Sequence, residues 1–174
     1  MIRLMALSAL AAGAMSVAAP AMVAAAAPAA SATVRQDVDP VTFFTGTTVG
    51  DGQLKKMLSG AQETHDVSRG HVEQDGTLVL DQTVRIGNDK PLARHWRLHE
   101  DAPGQFSGTI SDAAGKVEGQ LEGRVLSIAY RTKGKMDVRQ QITFAPDGQS
   151  ARNEMKIRRF GMTLATLEGT ITRR

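Results

Sequence analysis

The sequence contains no cysteine. That excludes disulfides, thiolate metal sites, a cysteine nucleophile and a lipid-modified N-terminal cysteine. Aromatic residues are scarce, with one Trp, one Tyr and five Phe in 174 residues. There is no G-x-S-x-G elbow for a serine nucleophile. Beyond residue 32, no window of about 11 residues carries a helical hydrophobic period. Neither charge sign is in large excess: 21 basic and 18 acidic side chains leave a formal net charge of +3, too little to argue for nucleic acid. The four histidines do not form a metal set. His95 and His99 fall on a strand-like stretch, where positions four apart are about 13 Å distant. No metal or other cofactor is expected.

What the sequence has in abundance is alanine, and it is unevenly spread. Fifteen of the first 32 residues are alanine, against nine in all the rest. Arg3 is the only charge before Arg35, an apolar run follows it, and Ala30-Ser31-Ala32 has the form of a cleavage site. These features predict a secretory signal over residues 1–32, a short flexible arm over 33–39, and a folded domain over 40–174 located in the periplasm. Basic residues gather toward the end, with Lys156, Arg158, Arg159, Arg173 and Arg174. This is either a solvated face or a site of peripheral contact with an anionic membrane surface.

The mature chain reads as strands and tight turns. Met136, Val138, Gln140, Ile142 and Phe144 alternate with Asp137, Arg139, Gln141 and Thr143, the two-residue period of a half-buried antiparallel strand. Further strands are predicted over 42–49, 53–58, 66–73, 77–85, 94–100, 105–111, 116–122, 125–132, 152–159 and 163–172. Turn residues such as Asp75-Gly76 and Pro146-Asp147-Gly148 separate them, and Gly50-x-Gly52 is read as a bend. Nine to eleven short strands in this length close most economically into a single all-β antiparallel barrel, since closure leaves no exposed edge. A two-sheet sandwich is the alternative.

Side-chain parity then selects an inward polar set. Arg94 shares a face with Trp96 and Leu98, Gln82 with Leu80 and Val84, Tyr130 with Leu126 and Ile128, and Asn153 with Met155 and Ile157. His95, Arg97 and His99 face outward. Arg94, Trp96, Gln82, Tyr130 and Asn153 are therefore the candidate ligand-binding residues. With Gln82 uncharged, Arg94 is expected to keep a free positive charge for an anionic group such as a fatty-acid carboxylate; a buried structural network is the alternative. Asp112 is expected to cap its own turn.

Several of these residues also recur in a known order: Phe44-x-Gly46, Gly50-x-Gly52, Leu78-x-Leu80-Asp81, Arg94-x-Trp96, Phe106-x-Gly108-Thr109, Asp112-x-x-Gly115, Gly119, Tyr130, Asn153 and Phe160-Gly161. Over most of residues 43–174 the chain resembles DUF 3833, a bacterial family of short exported proteins, commonly lipoproteins, with no established role. The resemblance implies a periplasmic lipocalin-like or calycin-like barrel and no particular reaction. The chain departs from the family pattern in lacking the lipobox cysteine, which implies a protein without a lipid tether. It also has Gln82 in place of a second acid, Ile128 in place of a tryptophan, and residues 141–145 in place of an Asp-Asp-Trp stretch.

The sequence thus points to a binding or carrier module for a lipid-like or other hydrophobic anionic small molecule, held in a deep apolar cavity reached by Arg94. An envelope accessory protein with a filled barrel is the second reading. An enzyme acting on a lipid-like substrate is the third, and no acid–base pair at strand-compatible spacing supports it.

Overall fold

Ten antiparallel strands follow one short helix: α1 (Pro40–Phe44), β1 (Gly46–Lys56), β2 (Gly60–Val72), β3 (Leu78–Ile86), β4 (Leu92–Ala102), β5 (Gln105–Ile110), β6 (Val117–Glu122), β7 (Val125–Arg131), β8 (Asp137–Phe144), β9 (Ser150–Arg159) and β10 (Met162–Arg173). The structure, a computed structural model, describes residues 38–174. The leader expected over residues 1–32 and the arm up to residue 37 lie outside the described residues. Every strand pairs with its neighbour in sequence, and β10 returns to pair with β1, closing the barrel. The fold is a calycin-like up-and-down barrel, as the alternation and turn chemistry predict.

Two local readings are corrected. Residues 42–44 are helical, not the start of a strand. Asp39 accepts hydrogen bonds from the Val41 and Thr42 amides at 2.9 and 3.0 Å, and Pro40 supplies a pre-set first helical position. This start signal outweighs the alternation of a three-residue stretch. Gly50-x-Gly52 is not a bend, because both glycines lie inside one continuous strand, β1, which joins the two short strands predicted there.

Helix α1 plugs one end of the barrel. Phe43 and Phe44 turn into the interior and meet Phe144 edge-on, with ring centroids 4.9 and 6.3 Å away. Phe43 and Phe144 are 1% and 0% exposed, worth about 2–3 kcal/mol each in apolar burial. The helix seats closely because Gly70 has no side chain: a Cβ there would overlap the Phe44 carbonyl. This end, the closed pole, also holds the β2–β3, β4–β5, β6–β7 and β8–β9 hairpins. No described element crosses the opposite, open pole, where the β1–β2, β3–β4, β5–β6, β7–β8 and β9–β10 hairpins form the rim.

Candidate functional site

Strand register places the five candidate residues on the inner wall. Gln82 lies opposite Arg94 and Leu80 opposite Trp96, Tyr130 opposite Val138, and Asn153 opposite Ile142. Trp96, Tyr130 and Asn153 are buried, while Gln82 and Arg94 are partly buried. The four histidines face outward, where His65 and His95 contact Asp51 and Asp81 at 2.7 and 2.8 Å.

The five residues do not converge on one point. They divide among three polar groups. In the first, the Trp96 indole donates to Gln82 Oε1 at 3.1 Å, and the Gln82 amide donates onward to Asp66 Oδ2 at 3.2 Å. In the second, the Gln140 amide donates to Asn153 Oδ1 at 2.8 Å. In the third, Arg94 Nη2 donates to Asp112 Oδ2 at 2.8 Å, and the Tyr130 ring, close to this pair, stands edge-on against Trp96 at 5.8 Å.

The third group overturns the expectation of a free Arg94. The Arg94 and Asp112 side chains are only 17% and 30% exposed. A carboxylate from the β5–β6 turn neutralises the guanidinium, so Asp112 serves as a counter-ion. The reason is electrostatic: an inward arginine without a partner would lose its hydration uncompensated.

Asp66 is the candidate site residue that parity on the apolar strands overlooks. It sits on the inward face of β2 with Thr64, Ser68 and Gly70, a face whose one large apolar residue, Val72, is at the strand's end and exposed, so no hydrophobic alternation marks it. Its cradle is Gly50, directly opposite on β1, where a Cβ would overlap the Asp66 carboxylate. The polar/small pattern Thr64-x-Asp66-x-Ser68-x-Gly70 is the one sequence signal for it. Burial pushes the Asp66 carboxyl above its usual range and outweighs the Gln82 hydrogen bond, which pulls the other way. Burial likewise pushes up the Tyr130 phenol, against a smaller opposing pull from Arg94.

Asp66, Gln82, Trp96, Gln140 and Asn153 line one internal cavity with Leu80, Ile128 and other apolar neighbours. It measures about 50 Å³, room for a few water molecules. The deep cavity expected from the sequence is thus a small one, mostly apolar with a few polar side chains, and Arg94 is not among its walls. At the open pole a wider apolar groove of about 410 Å³ is lined by Leu54, Met57, Leu58, Met136, Ile157 and Leu164. One row of the wall runs between them: Gln140 of the cavity, then Met155 and Leu167, then Leu54 of the groove lie directly opposite one another across β8, β9, β10 and β1. Gln140 Oε1 and Tyr130 Oη are buried without a hydrogen-bond partner. The cavity itself therefore offers acceptors and a carboxyl; outside its walls Asp112 neutralises the guanidinium, whose Nε, like Asp112 Oδ1, is buried without a hydrogen-bond partner.

The barrel is similar to several solved structures. A phycobiliprotein lyase of Guillardia theta, CPES, aligns with a TM-score of 0.59 at 8% identity, over 77% of this chain and 90% of that one. A DUF3598-family protein of unknown function from Nostoc punctiforme aligns with a TM-score of 0.61 at 9% identity, over 80% of this chain and 51% of that one. Rv2717c of M. tuberculosis aligns with a TM-score of 0.56 at 18% identity, over 79% of this chain and 99% of that one. At such identities the likeness is one of fold. No curated protein is matched by the sequence. The family model for proteins of unknown function DUF3833 matches residues 20–173, nearly the whole chain, and the protein belongs to the DUF3833 family.

Proposed function

We propose that this protein is a binding module of the bacterial periplasm that takes up a small, lipid-like molecule carrying a hydrogen-bond donor. The single observation that carries this reading is the cavity-lining acceptor set: the carboxyl of Asp66 and the unpartnered Gln140 Oε1, set in a mostly apolar wall. A buried acceptor without a donor costs about 1–3 kcal/mol, and a ligand hydroxyl, amine or amide would relieve it. The open-pole groove lies within the size range of small-molecule sites, and each methylene buried there contributes about 0.8 kcal/mol.

The polar end suits a donor, not the carboxylate expected from the sequence, because Arg94 is neutralised by Asp112 and stands outside the cavity walls, and Asp66 would repel an anion. The periplasmic location rests on the alanine-rich leader alone.

Native mass spectrometry of protein recovered from its own cell envelope is expected to show a bound small molecule. Gln140→Leu and Asp66→Ala are expected to weaken its retention at least tenfold, while outward-facing Gln141→Leu leaves it unchanged. Recovery of the bare chain alone, or retention indifferent to both inner substitutions, would overturn the proposal.

A further inference from the structure

Among the described residues, five of the six large apolar side chains left in solvent lie at the open pole, Val72 being the exception, and the four most exposed are on two of its tips. Leu58 is 92% exposed, Phe160 83%, Met57 60% and Met162 57%. They occupy two hairpin tips, β1–β2 and β9–β10, which the barrel seam sets side by side: Lys56 lies opposite Ala165, and the Met57 amide donates to the Leu164 carbonyl at 2.9 Å. Four exposed residues from distant parts of the sequence thus form one protruding patch.

The backbone gives a second, independent sign. Among the described residues, only Lys135 and Phe160 combine a side chain with positive φ, at 59° and 49°. Both sit on tips of this pole. In the two-residue turn Phe160-Gly161, the first position favours Asn, Asp or Gly, and a bulky aromatic there is strained. The strain holds Phe160 out in water, where it stabilises nothing in the barrel core. Strain of this kind marks positions kept for a purpose other than stability.

Charge identifies the partner. Lys55, Lys56, Lys133, Lys135, Arg158 and Arg159 stand around the patch, and none of them is in an ion pair among the described residues. Arg159 lies over the Phe160 ring at 5.1 Å. The C-terminal basic cluster of the sequence is in fact split between the poles. Arg158 and Arg159 belong to the rim, whereas Arg173 and Arg174 are held at the closed pole beside Thr45 and Thr47. Lys133 and Arg158 donate only to backbone carbonyls, of Ser111 and Gly161, and keep their net charge. Apolar tips ringed by cations outside any ion pair suit the interface of an anionic bilayer, where side chains enter the acyl boundary while cations stay among the headgroups. A second copy of the chain would bring the same cations face to face.

We infer that the open pole is a membrane-docking surface, which seats the β1–β2 and β9–β10 tips in an anionic lipid bilayer with the barrel mouth against it. This holds whether or not the barrel carries a ligand. The test is co-sedimentation of the full chain with vesicles of phosphatidylcholine alone or with 30% phosphatidylglycerol added. Binding is expected to the anionic vesicles and to weaken with salt. Leu58→Asp and Phe160→Asn should each lower the partition coefficient about tenfold. Arg158→Gln with Arg159→Gln should lower it about thirtyfold. Phe160→Asn suits its turn better than the native residue, so loss of folding would not mimic loss of binding. Equal binding to both vesicle types would overturn the inference, as would binding indifferent to the tip substitutions. So would a dimer in lipid-free solution that Leu58→Asp dissociates, since the patch would then be an interface between copies. Ligand recovered from protein that never docks would leave the binding proposal standing and this one refuted.

Discussion

The Arg94–Asp112 pair is the most direct point at which to test the electrostatics of this barrel. Asp112→Asn keeps the shape of the side chain and removes its charge. The lost contact is a single charge-assisted hydrogen bond of 2.8 Å between side chains 17% and 30% exposed. Hydrogen bonds to charged groups contribute about 1.5–3 kcal/mol, and stranding one partner of a fully buried pair costs about 3–5 kcal/mol. Residual water contact places this case near the lower figures, at about 2 kcal/mol. For a domain of this size that corresponds to about 6 °C in Tm or about 1 M in urea midpoint. Trp96 is the only tryptophan and is 6% exposed, so its fluorescence reports unfolding directly. Arg94→Met with Asp112→Leu should recover part of the loss, because no charge is then stranded, giving a coupling of at least about 1 kcal/mol. Asp112→Asn should also release the guanidinium and create affinity for a fatty-acid carboxylate that the native protein lacks. An Asp112→Asn variant within about 0.5 kcal/mol of the native protein, or additive single effects, would refute the reasoning.

Three further outcomes follow from the interior. Burial raises the folded-state Asp66 carboxyl above its unfolded value of 3.8. Between that value and the raised one the native state holds more protons, so stability declines as pH rises through this window and levels off above it. Asp66→Asn should abolish the decline, read from urea midpoints measured between pH 4 and 8. Gly50→Ala places a methyl group against the Asp66 carboxylate and should cost about 1–3 kcal/mol, with the cost falling when Asp66 is also Ala, as a double-mutant cycle by calorimetry would show. Phe144→Ala removes the ring on which Phe43 and Phe44 stack and should cost about 3–5 kcal/mol in chemical denaturation; a smaller loss would mean that the α1 plug is not seated.

The inward parity of Arg94, Trp96, Gln82, Tyr130 and Asn153 was legible because a strand's period is two and each has large apolar neighbours two residues away. Closure was legible from turn chemistry repeated along the chain. The partners were not. Asp112 meets Arg94 across 18 residues of sequence, and Asp66 meets Gly50 only through the register of β1 on β2, a property of the assembled sheet. Read alone, Asp112 is a turn residue and Gly50 a bend. Helix α1 was hidden by the adjacent Phe43 and Phe44, which read as strand, although Asp39-Pro40 carries the start signal. The patch at the open pole joins Leu58 to Phe160 across the seam, so no local window contains it.

The seam between β1 and β10 also fixes where the ends of the described domain emerge. The Arg174 amide donates to the Thr47 carbonyl at 2.9 Å, which sets the last residue beside the beginning of β1, next to the plug. A tether attached just ahead of Asp39 or after Arg174 therefore leaves from the pole opposite the mouth, and a protein immobilised through either would present its rim outward. Because the described domain begins and ends at one pole, with Asp39 and Arg173 lining one surface groove, a short linker could join Asp39 to Arg174 and the domain could be reopened at Gly134–Lys135, preserving every strand pairing in a circular permutant whose new ends stand at the mouth.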